Sequence, residues 1–255
     1  MEDIRSKEII KIAKELIPSQ EIIIEEVLLK LGLKKKFVEK NFSKTLTKFD
    51  KEGNVVFKTY QKLAFEKLAE LWLREQGDDV RRRFLEINSE KNFEKFIEKA
   101  TKLFSDFAEL VQKLELDLGN MRKSRGGGTF QRVVLKMLNF INIPCETPTG
   151  KKNDKLNRID IVGPSINVAL KKPDTAFFLS CKRTLRERWK QEVPQVKLNQ
   201  RTYLVTLDME LSENKANEIN EKQMIAFLPD EVASHDKFKK SAWIRKLSDL
   251  PKYLK

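Results

Sequence analysis

The sequence LNRIDIVGPSINVALKKPDTAFFLSCKRTLRERWKQE, residues 156–192, contains two apolar runs that are typical of neighbouring β-strands. The runs cover residues 158–162 and 176–182, with Gly and Pro turn signals between them. Asp160 and Lys182 stand in these runs at positions where a strand favours an apolar residue. A buried carboxylate and a buried ammonium group are costly unless they pair or bind a metal ion. The pattern therefore indicates a functional site, and an ordinary cross-strand ion pair is the alternative.

A helix is expected to begin directly after Lys182. Thr184 can act as the N-cap, and Glu187, three residues later, completes a capping box. Arg186 and Arg188 then project from the first helical turn. The charged turn and Lys182 are expected at the same edge of the sheet.

These residues resemble the PD-(D/E)XK restriction endonucleases, and most closely the branch that cuts CCGG- and CCNGG-type sites. In that branch the catalytic lysine ends a strand, and an Arg-(Glu/Asp)-Arg triplet follows a few residues later. Lys182 and the run Arg186-Glu187-Arg188 match this pattern, and Asp160 matches the first metal-binding aspartate. The resemblance is specific over about residues 120–192.

One departure concerns the second acid of the motif. The common motif has an acid two residues before the lysine, where this chain has Ser180. In the CCGG/CCNGG branch a glutamate on the following helix replaces that acid. The candidate is Glu192, whereas the usual spacing of the branch falls nearer to Gln195.

A second match lies upstream, where a Ser-Arg-x-Gly-x-x-(Phe/Leu)-Glu pattern commonly opens the helix before the first catalytic strand. Residues 124–130 match it, with Gln131 in the place of the glutamate, so Ser124 and Arg125 become candidates for DNA contact. A neutral amide adds no charge to a metal site, but it can hold a water molecule or a phosphate oxygen. The glycines in the segment 121–131 predict a loop that lets the backbone approach a phosphate, or simply a loop.

The expected fold is α/β (α+β), with a mixed central sheet flanked by helices. Further strands are predicted at 201–208 and 224–229, and Ser212 is expected to cap a helix between them. Residues 1–117 are predicted to form a helical N-terminal region, and residues 118–255 the nuclease catalytic domain.

The N-terminal region has helical periodicity. A helix predicted at 35–49 carries a lysine at every fourth position from Lys36 to Lys48, and a short β-ribbon is predicted at 53–57. This order is that of a winged helix-turn-helix that contacts DNA. A helical subdomain with a solvated lysine face, or one that forms a dimer, is the alternative. The apolar positions between Phe93 and Leu114 predict the buried side of a further helix.

Charge and composition limit the function classes. The 255 residues have a net charge of +13, which favours a polyanionic partner without distinguishing DNA, RNA or an anionic membrane. No apolar run approaches the ~20 residues that span a bilayer, and the first residues lack a signal-peptide core, so a cytoplasmic protein without membrane contact is expected. The single histidine excludes nucleases with several metal-bound imidazoles, and two cysteines exclude a disulfide framework or a Cys-rich zinc site.

The resemblance implies a mechanism. Mg²⁺ is expected on Asp160, Glu192 and the Cys181 backbone carbonyl, and Lys182 is expected to orient the attacking water. The two arginines of the run Arg186-Glu187-Arg188 suit guanine, and the glutamate suits cytosine N4. Phosphate contacts and helix capping are the alternative roles of these three residues.

The predicted function is that of a type II restriction endonuclease, a homodimer that cuts double-stranded DNA at a short GC-containing palindrome. The family also implies a companion methyltransferase. Two alternatives remain open: a structure-selective nuclease of the same fold, and a non-catalytic DNA-binding regulator, which the neutral Ser180 and Gln131 would suit. An RNA-binding protein is a weaker third option, since aromatic-rich strand motifs are missing.

Overall fold

The computed structural model describes most of the chain, namely residues 2–75, 77–148, 156–185, 189–194 and 201–255, without the side chains of 2–5, 123–127 and 191–192. The chain divides into two compact units. One comprises Met1–Ile23 and Asn54–Ser124, and the other comprises Ile24–Gly53 and Arg125–Lys255. Residues 24–53 therefore group with the C-terminal part of the chain. The roles assigned to residues 1–117 and 118–255 remain predictions.

Six helices precede the first strand in the described residues: α1 Glu2–Glu15, α2 Gln20–Leu31, α3 Lys35–Lys40, α4 Phe42–Glu75, α5 Gly77–Ser89 and α6 Phe93–Phe140. The Ser19 hydroxyl accepts a hydrogen bond from the Ile22 backbone N–H at 3.4 Å, so it caps α2 as predicted. The core of the first unit contains a cluster that includes Ile9, Ala13, Ile17, Ala64, Leu68, Leu110, Leu114 and Leu118. A further cluster in this unit contains Val80, Ile87 and Leu103.

The predicted β-ribbon at 53–57 is wrong, because these residues lie inside α4. A glycine such as Gly53 costs a helix only about 0.5–1 kcal/mol. Val56 is 3% exposed within this stretch, and its burial helps to offset that cost. The predicted helix at 35–49 is also interrupted, since α3 ends at Lys40 and α4 begins at Phe42.

The loop predicted at 121–131 is wrong as well, because the segment is helical and belongs to α6. Three glycines destabilise a helix by roughly 2–3 kcal/mol in total. Buried apolar residues on both sides of them, Leu118 and Phe130, favour continuing the helix. The residues around the glycines lie in a helix interior, where the backbone N–H groups are used within the helix, so they form no helix N-terminus for a phosphate.

The apolar face of α6 is only partly buried. Leu103 and Leu114 are buried as predicted, but Phe93 is 70% exposed and Phe104 is 65% exposed. Phe96 and Ile97 are also exposed, against expectation. The apolar stripe is wider than the surface that packs on neighbouring helices, so periodicity alone overestimates its burial.

The second unit contains a five-stranded sheet in the order β1-β2-β3-β4-β5: β1 Ile161–Gly163, β2 Phe177–Lys182, β3 Arg201–Thr206, β4 Ile225–Leu228 and β5 Ile244–Lys246. The pair β1–β2 is antiparallel, and the other pairs are parallel. The later helices are α7 Ile166–Lys171, α8 Trp189–Glu192, α9 Glu213–Glu221, α10 Asp230–Ala233 and α11 Leu250–Leu254. The mixed sheet with helices confirms the predicted fold class.

Serine hydroxyls cap two helices of this unit. The Ser212 hydroxyl accepts from the Lys215 N–H at 3.3 Å and caps α9, as predicted. Helix α7, between the two strands of residues 156–192, was not predicted, although Ser165 caps it. Within the described ranges, no helix is long and apolar enough to cross a membrane.

Candidate active site

The antiparallel pairing of β1 with β2 brings Asp160 and Lys182 together. Ile161 pairs with Leu179, so the same register continued by one residue places Asp160 opposite Ser180. Side chains alternate along a strand, so Lys182 lies on the same face of the sheet as Ser180 and Asp160. The Lys182 Nζ is 4.0 Å from the Asp160 Oδ2. The two side chains are 20% and 22% exposed, so the pair is half-buried and still open to solvent.

Hydrogen bonds to the main chain and to the side chain hold Asp160 in place. Its Oδ2 accepts from the Cys181 backbone N–H at 2.6 Å, and its own backbone N–H donates to the Leu179 carbonyl at 2.9 Å. The side-chain Nε2 of Gln131, on α6, donates to the Asp160 backbone carbonyl at 2.5 Å. The predicted site residue Gln131 therefore contacts Asp160 through its main chain and orients it.

Ser180 lies between the two charged residues on this face. It is fully buried, and its Oγ has no hydrogen-bond partner in the described part of the structure. A buried hydroxyl without a partner is unfavourable by about 1–3 kcal/mol. A serine at this buried position therefore gains no stability from its hydroxyl group. It occupies the position where the common motif has an acid.

The carboxylate of Asp160 offers oxygen atoms, which are the ligands that a hard cation prefers. The role of the Cys181 carbonyl as a metal ligand remains a prediction. Burial, followed by the nearby Asp160 charge, raises the pKa of the Cys181 thiol well above its usual value, so the thiol stays protonated and is a poor ligand. Among the described residues, no group of three His, Cys, Asp or Glu side chains could hold a metal ion. Glu192 ends α8, and its side chain lies outside the described residues.

The predicted base-reading run Arg186-Glu187-Arg188 also lies outside the described residues, as does Gln195. The two residues that flank the run are buried and held. The Leu185 backbone N–H donates to the Asp208 Oδ2 at 2.8 Å. The Trp189 indole N–H donates to the Glu218 carboxylate at 3.3 Å. The run is thus bounded by fixed residues close to Lys182.

Ser124 and Arg125 belong to α6, but their side chains are not described. The predicted DNA contacts of these two residues remain predictions. Their backbone is helical, so they do not open a helix as the resemblance implied.

Three residues that support the site were missed in the sequence. Arg183, next to Lys182, makes a two-point ion pair with Asp50 on α4: Nε to Oδ1 is 2.8 Å, and the second guanidinium nitrogen is 2.8 Å from Oδ2. Asp208 is 7% exposed and fixes the segment after β2 through Leu185. The Asp50–Arg183 pair has no sequence signal, because its members are 133 positions apart.

The chain is similar to known restriction enzymes over much of its length. A family model described as the EcoRII C terminal matches residues 86–250. The type II restriction enzyme SsoII of Shigella sonnei is 30% identical over 125 residues, which is 45% of this chain and 40% of that enzyme. The matched region thus spans less than half of this relative.

Two solved structures share the fold. The fold of metal-depleted Ecl18kI in complex with uncleaved, modified DNA matches with a TM-score of 0.75 and 20% identity, over 98% of this chain and 82% of that one. A PspGI restriction endonuclease–substrate DNA complex matches with a TM-score of 0.61 and 19% identity, over 93% and 92% of the two chains. Since the family match covers well over half of the sequence, this chain belongs to the EcoRII C-terminal family of type II restriction endonucleases.

Proposed function

We propose that this protein is a type II restriction endonuclease that hydrolyses double-stranded DNA at a short GC-containing palindrome with Mg²⁺. The observation that carries the proposal is the pairing of Asp160 with Lys182 on one face of the sheet, at 4.0 Å, in a chain of this family. A carboxylate beside an ammonium group, partly open to solvent at the carboxyl end of β2, is suited to phosphodiester hydrolysis. One group can bind a cation, and the other can stabilise developing negative charge.

Asp160, the Cys181 carbonyl and Glu192 would hold the metal ion, which supplies charge neutralisation at the phosphate when bound. The Cys181 N–H and Gln131 fix the orientation of Asp160 from two sides. Lys182 orients the attacking water and contacts a phosphate oxygen. Its ammonium group lies close enough to Asp160 for both to act on one phosphate.

Sequence recognition is assigned to the run Arg186-Glu187-Arg188. Arginine can form two hydrogen bonds with guanine O6 and N7, and glutamate accepts from cytosine N4. Each such contact contributes roughly 1–3 kcal/mol of discrimination. The buried and hydrogen-bonded residues at either end of the run support this role, since a fixed scaffold positions the reading side chains.

The remaining partners follow from this activity. A palindrome is read most simply by a two-fold dimer in which each subunit cuts one strand. A companion methyltransferase would protect the host DNA, and both enzymes would act in the bacterial cytoplasm.

Active-site variants test the proposal. Asp160→Asn and Lys182→Ala are expected to abolish cleavage and to leave DNA binding within a few-fold of wild type. Asp174→Asn and Lys172→Ala are matched controls, because both residues are exposed in the connection between β1 and β2. Full cleavage by Asp160→Asn would refute the catalytic assignment.

A substitution in the base-reading run separates the two roles of its arginines. Arg188→Lys keeps the charge but loses the two-point geometry, so relaxed cleavage specificity is expected. A uniform loss of affinity across sequences would instead assign Arg188 to phosphate contact.

Wild-type protein that binds DNA but never cleaves it would favour the alternative function, a non-catalytic DNA-binding regulator.

A further inference from the structure

One face of α4 in the second unit is basic and unpaired. Lys44, Lys48 and Lys51 are spaced by four and three residues, so they lie on one side of the helix. All three side chains are exposed. Within the described ranges, no carboxylate oxygen lies close enough to their ammonium nitrogens, 4.0 Å or less, to form an ion pair.

The acids of the same segment are paired with cations from elsewhere. Glu39 pairs with Lys255, and Glu52 lies 2.7 Å from Lys30. Asp50 is occupied by Arg183. The ion pairs of these three acids thus involve cations other than Lys44, Lys48 and Lys51.

Lys44 and Lys48 line a cavity of about 470 Å³ between α4 and the connection from α2 to α3. Lys34, Lys44 and Lys48 supply its charged groups. The other lining residues are neutral: Leu31, Gly32, Leu33, Phe37 and Thr45. No carboxylate is among these lining residues. Three ammonium groups around one cavity make a site for an anion.

A neighbouring cavity on the other flank of α4 differs in charge. It has a volume of about 270 Å³, and Asp230 and Glu231 contribute to its wall beside Lys44 and Lys48. The acidic wall makes this second cavity a poor anion site, so the cavity that includes Lys34 is the better candidate.

The position of α4 relates this cavity to the active site. The ion pair of Asp50 with Arg183 fixes α4 to the residue that follows Lys182. The Ser43 hydroxyl accepts from the Asp230 backbone N–H at 3.3 Å, which fixes the start of α4 next to the end of β4. Lys44 and Lys48 lie only about 3–9 Å along the helix from Asp50. Duplex DNA has one phosphate per ~3.4 Å of axis in each strand, so a duplex at the active site offers further phosphates on both sides of the cleaved bond.

We propose that Lys34, Lys44 and Lys48 form a phosphate-binding cleft that holds the DNA backbone beside the cleaved bond. This inference rests on the proposed function. The cleft binds phosphate oxygens of duplex DNA without reading bases, and it fixes the position of the duplex relative to Asp160 and Lys182.

The salt dependence of DNA binding tests this cleft. Fluorescence anisotropy with a labelled 30-bp duplex of arbitrary sequence, in EDTA, gives the slope of log K against log salt concentration. Each lost phosphate contact reduces the magnitude of this slope by about 0.9. The double variant Lys44→Gln/Lys48→Gln is therefore expected to lower it by about 1.8, and to weaken binding in 0.1 M salt by about one to two orders of magnitude. Lys34→Gln alone is expected to lower it by about 0.9.

The control removes two exposed lysines from the first unit, in the variant Lys11→Gln/Lys113→Gln. It loses the same charge and is expected to keep the wild-type slope. Equal slopes for the cleft variant and this control would refute the phosphate-binding role of the cleft. Cleavage by the wild-type protein would in that case leave the proposed function intact. Wild-type protein that neither binds nor cleaves duplex DNA would overturn both.

Discussion

Gly163→Ala is predicted to destabilise the sheet that carries the active site. Gly163 pairs with Phe177 across β1 and β2. A Cβ at this position would lie 2.7 Å from the Phe177 Cε2 and closer still to Cζ and Cε1. Carbon atoms prefer a separation of about 3.5–4.0 Å, so the ring or the strand has to move by about 1 Å or more. Phe177 is 4% exposed, so its ring is held within the core.

The expected cost is about 1–3 kcal/mol, the usual range for an overpacked core. At about 2–4 °C per kcal/mol, the melting temperature should fall by roughly 2–12 °C. Cleavage should fall as well, because Gly163 is three residues from Asp160 and a displaced β1 alters the contact between Asp160 and Lys182. Thermal unfolding by circular dichroism and a cleavage rate on plasmid DNA measure the two effects.

Gly53→Ala is the matched control. No atom lies within 4 Å of a Cβ added there, and the residue is inside α4, so stabilisation by about 0.5–1 kcal/mol is expected. Phe177→Leu should partly rescue Gly163→Ala, with a coupling free energy of roughly 1 kcal/mol in a double-mutant cycle. Gly163→Ala with wild-type stability, or with no coupling to residue 177, would refute the packing argument.

Three further predictions concern residues around the site. Ser180→Ala should raise the free energy of unfolding in urea by about 1 kcal/mol, because it removes a buried hydroxyl without a partner; a loss of 2 kcal/mol or more would show that the hydroxyl is bonded. Asp50→Ala should lower the free energy of unfolding by only about 1 kcal/mol, since the pair with Arg183 is partly exposed, and should slow cleavage; unchanged cleavage would disconnect α4 from the site. Burial raises the pKa of Cys145 to about 12 and that of Cys181 well above its usual value, so both thiols should resist iodoacetamide at pH 8 until the protein unfolds. Because the folded-state pKa is raised, the thiols of the unfolded state ionise first, and the free energy of unfolding should fall as the pH rises from about 8.5 towards 12. Rapid alkylation of native protein at pH 8 would contradict the burial of the thiols.

The central strands could be predicted from the sequence because their signal is local. Apolar runs, turn residues and two misplaced charges identified β1, β2 and the pair of Asp160 with Lys182. The interrupting charges were informative because a buried charge is expensive and needs a partner. The caps at Ser19 and Ser212 were equally local and were confirmed.

The errors arose where tertiary packing outweighs local propensity. Glycines predicted a loop before Gln131 and a ribbon near Gly53, but both segments are helical. Helix propensity is a weak preference of about 1 kcal/mol per glycine, and burial of neighbouring side chains such as Val56 and Phe130 exceeds it.

Other features had no readable signal. The ion pair of Asp50 with Arg183 joins positions far apart in the chain, and nothing in either local sequence marks it. The exposure of Phe93 and Phe104 depends on which helices pack against α6, and the periodicity of one helix cannot supply that information.

Sequence-specific cleavage at the site of Asp160 and Lys182 is tested most directly by incubating purified protein with unmethylated phage DNA. The samples contain Mg²⁺ or EDTA, and the Lys182→Ala variant is run in parallel. Wild-type protein in Mg²⁺ should give discrete bands whose sequenced ends share one short GC-containing palindrome, and both the EDTA sample and the variant should leave the DNA intact. A smear without common ends would contradict sequence-specific cleavage, and intact DNA in every sample would contradict the assignment of Asp160 and Lys182 to a nuclease site.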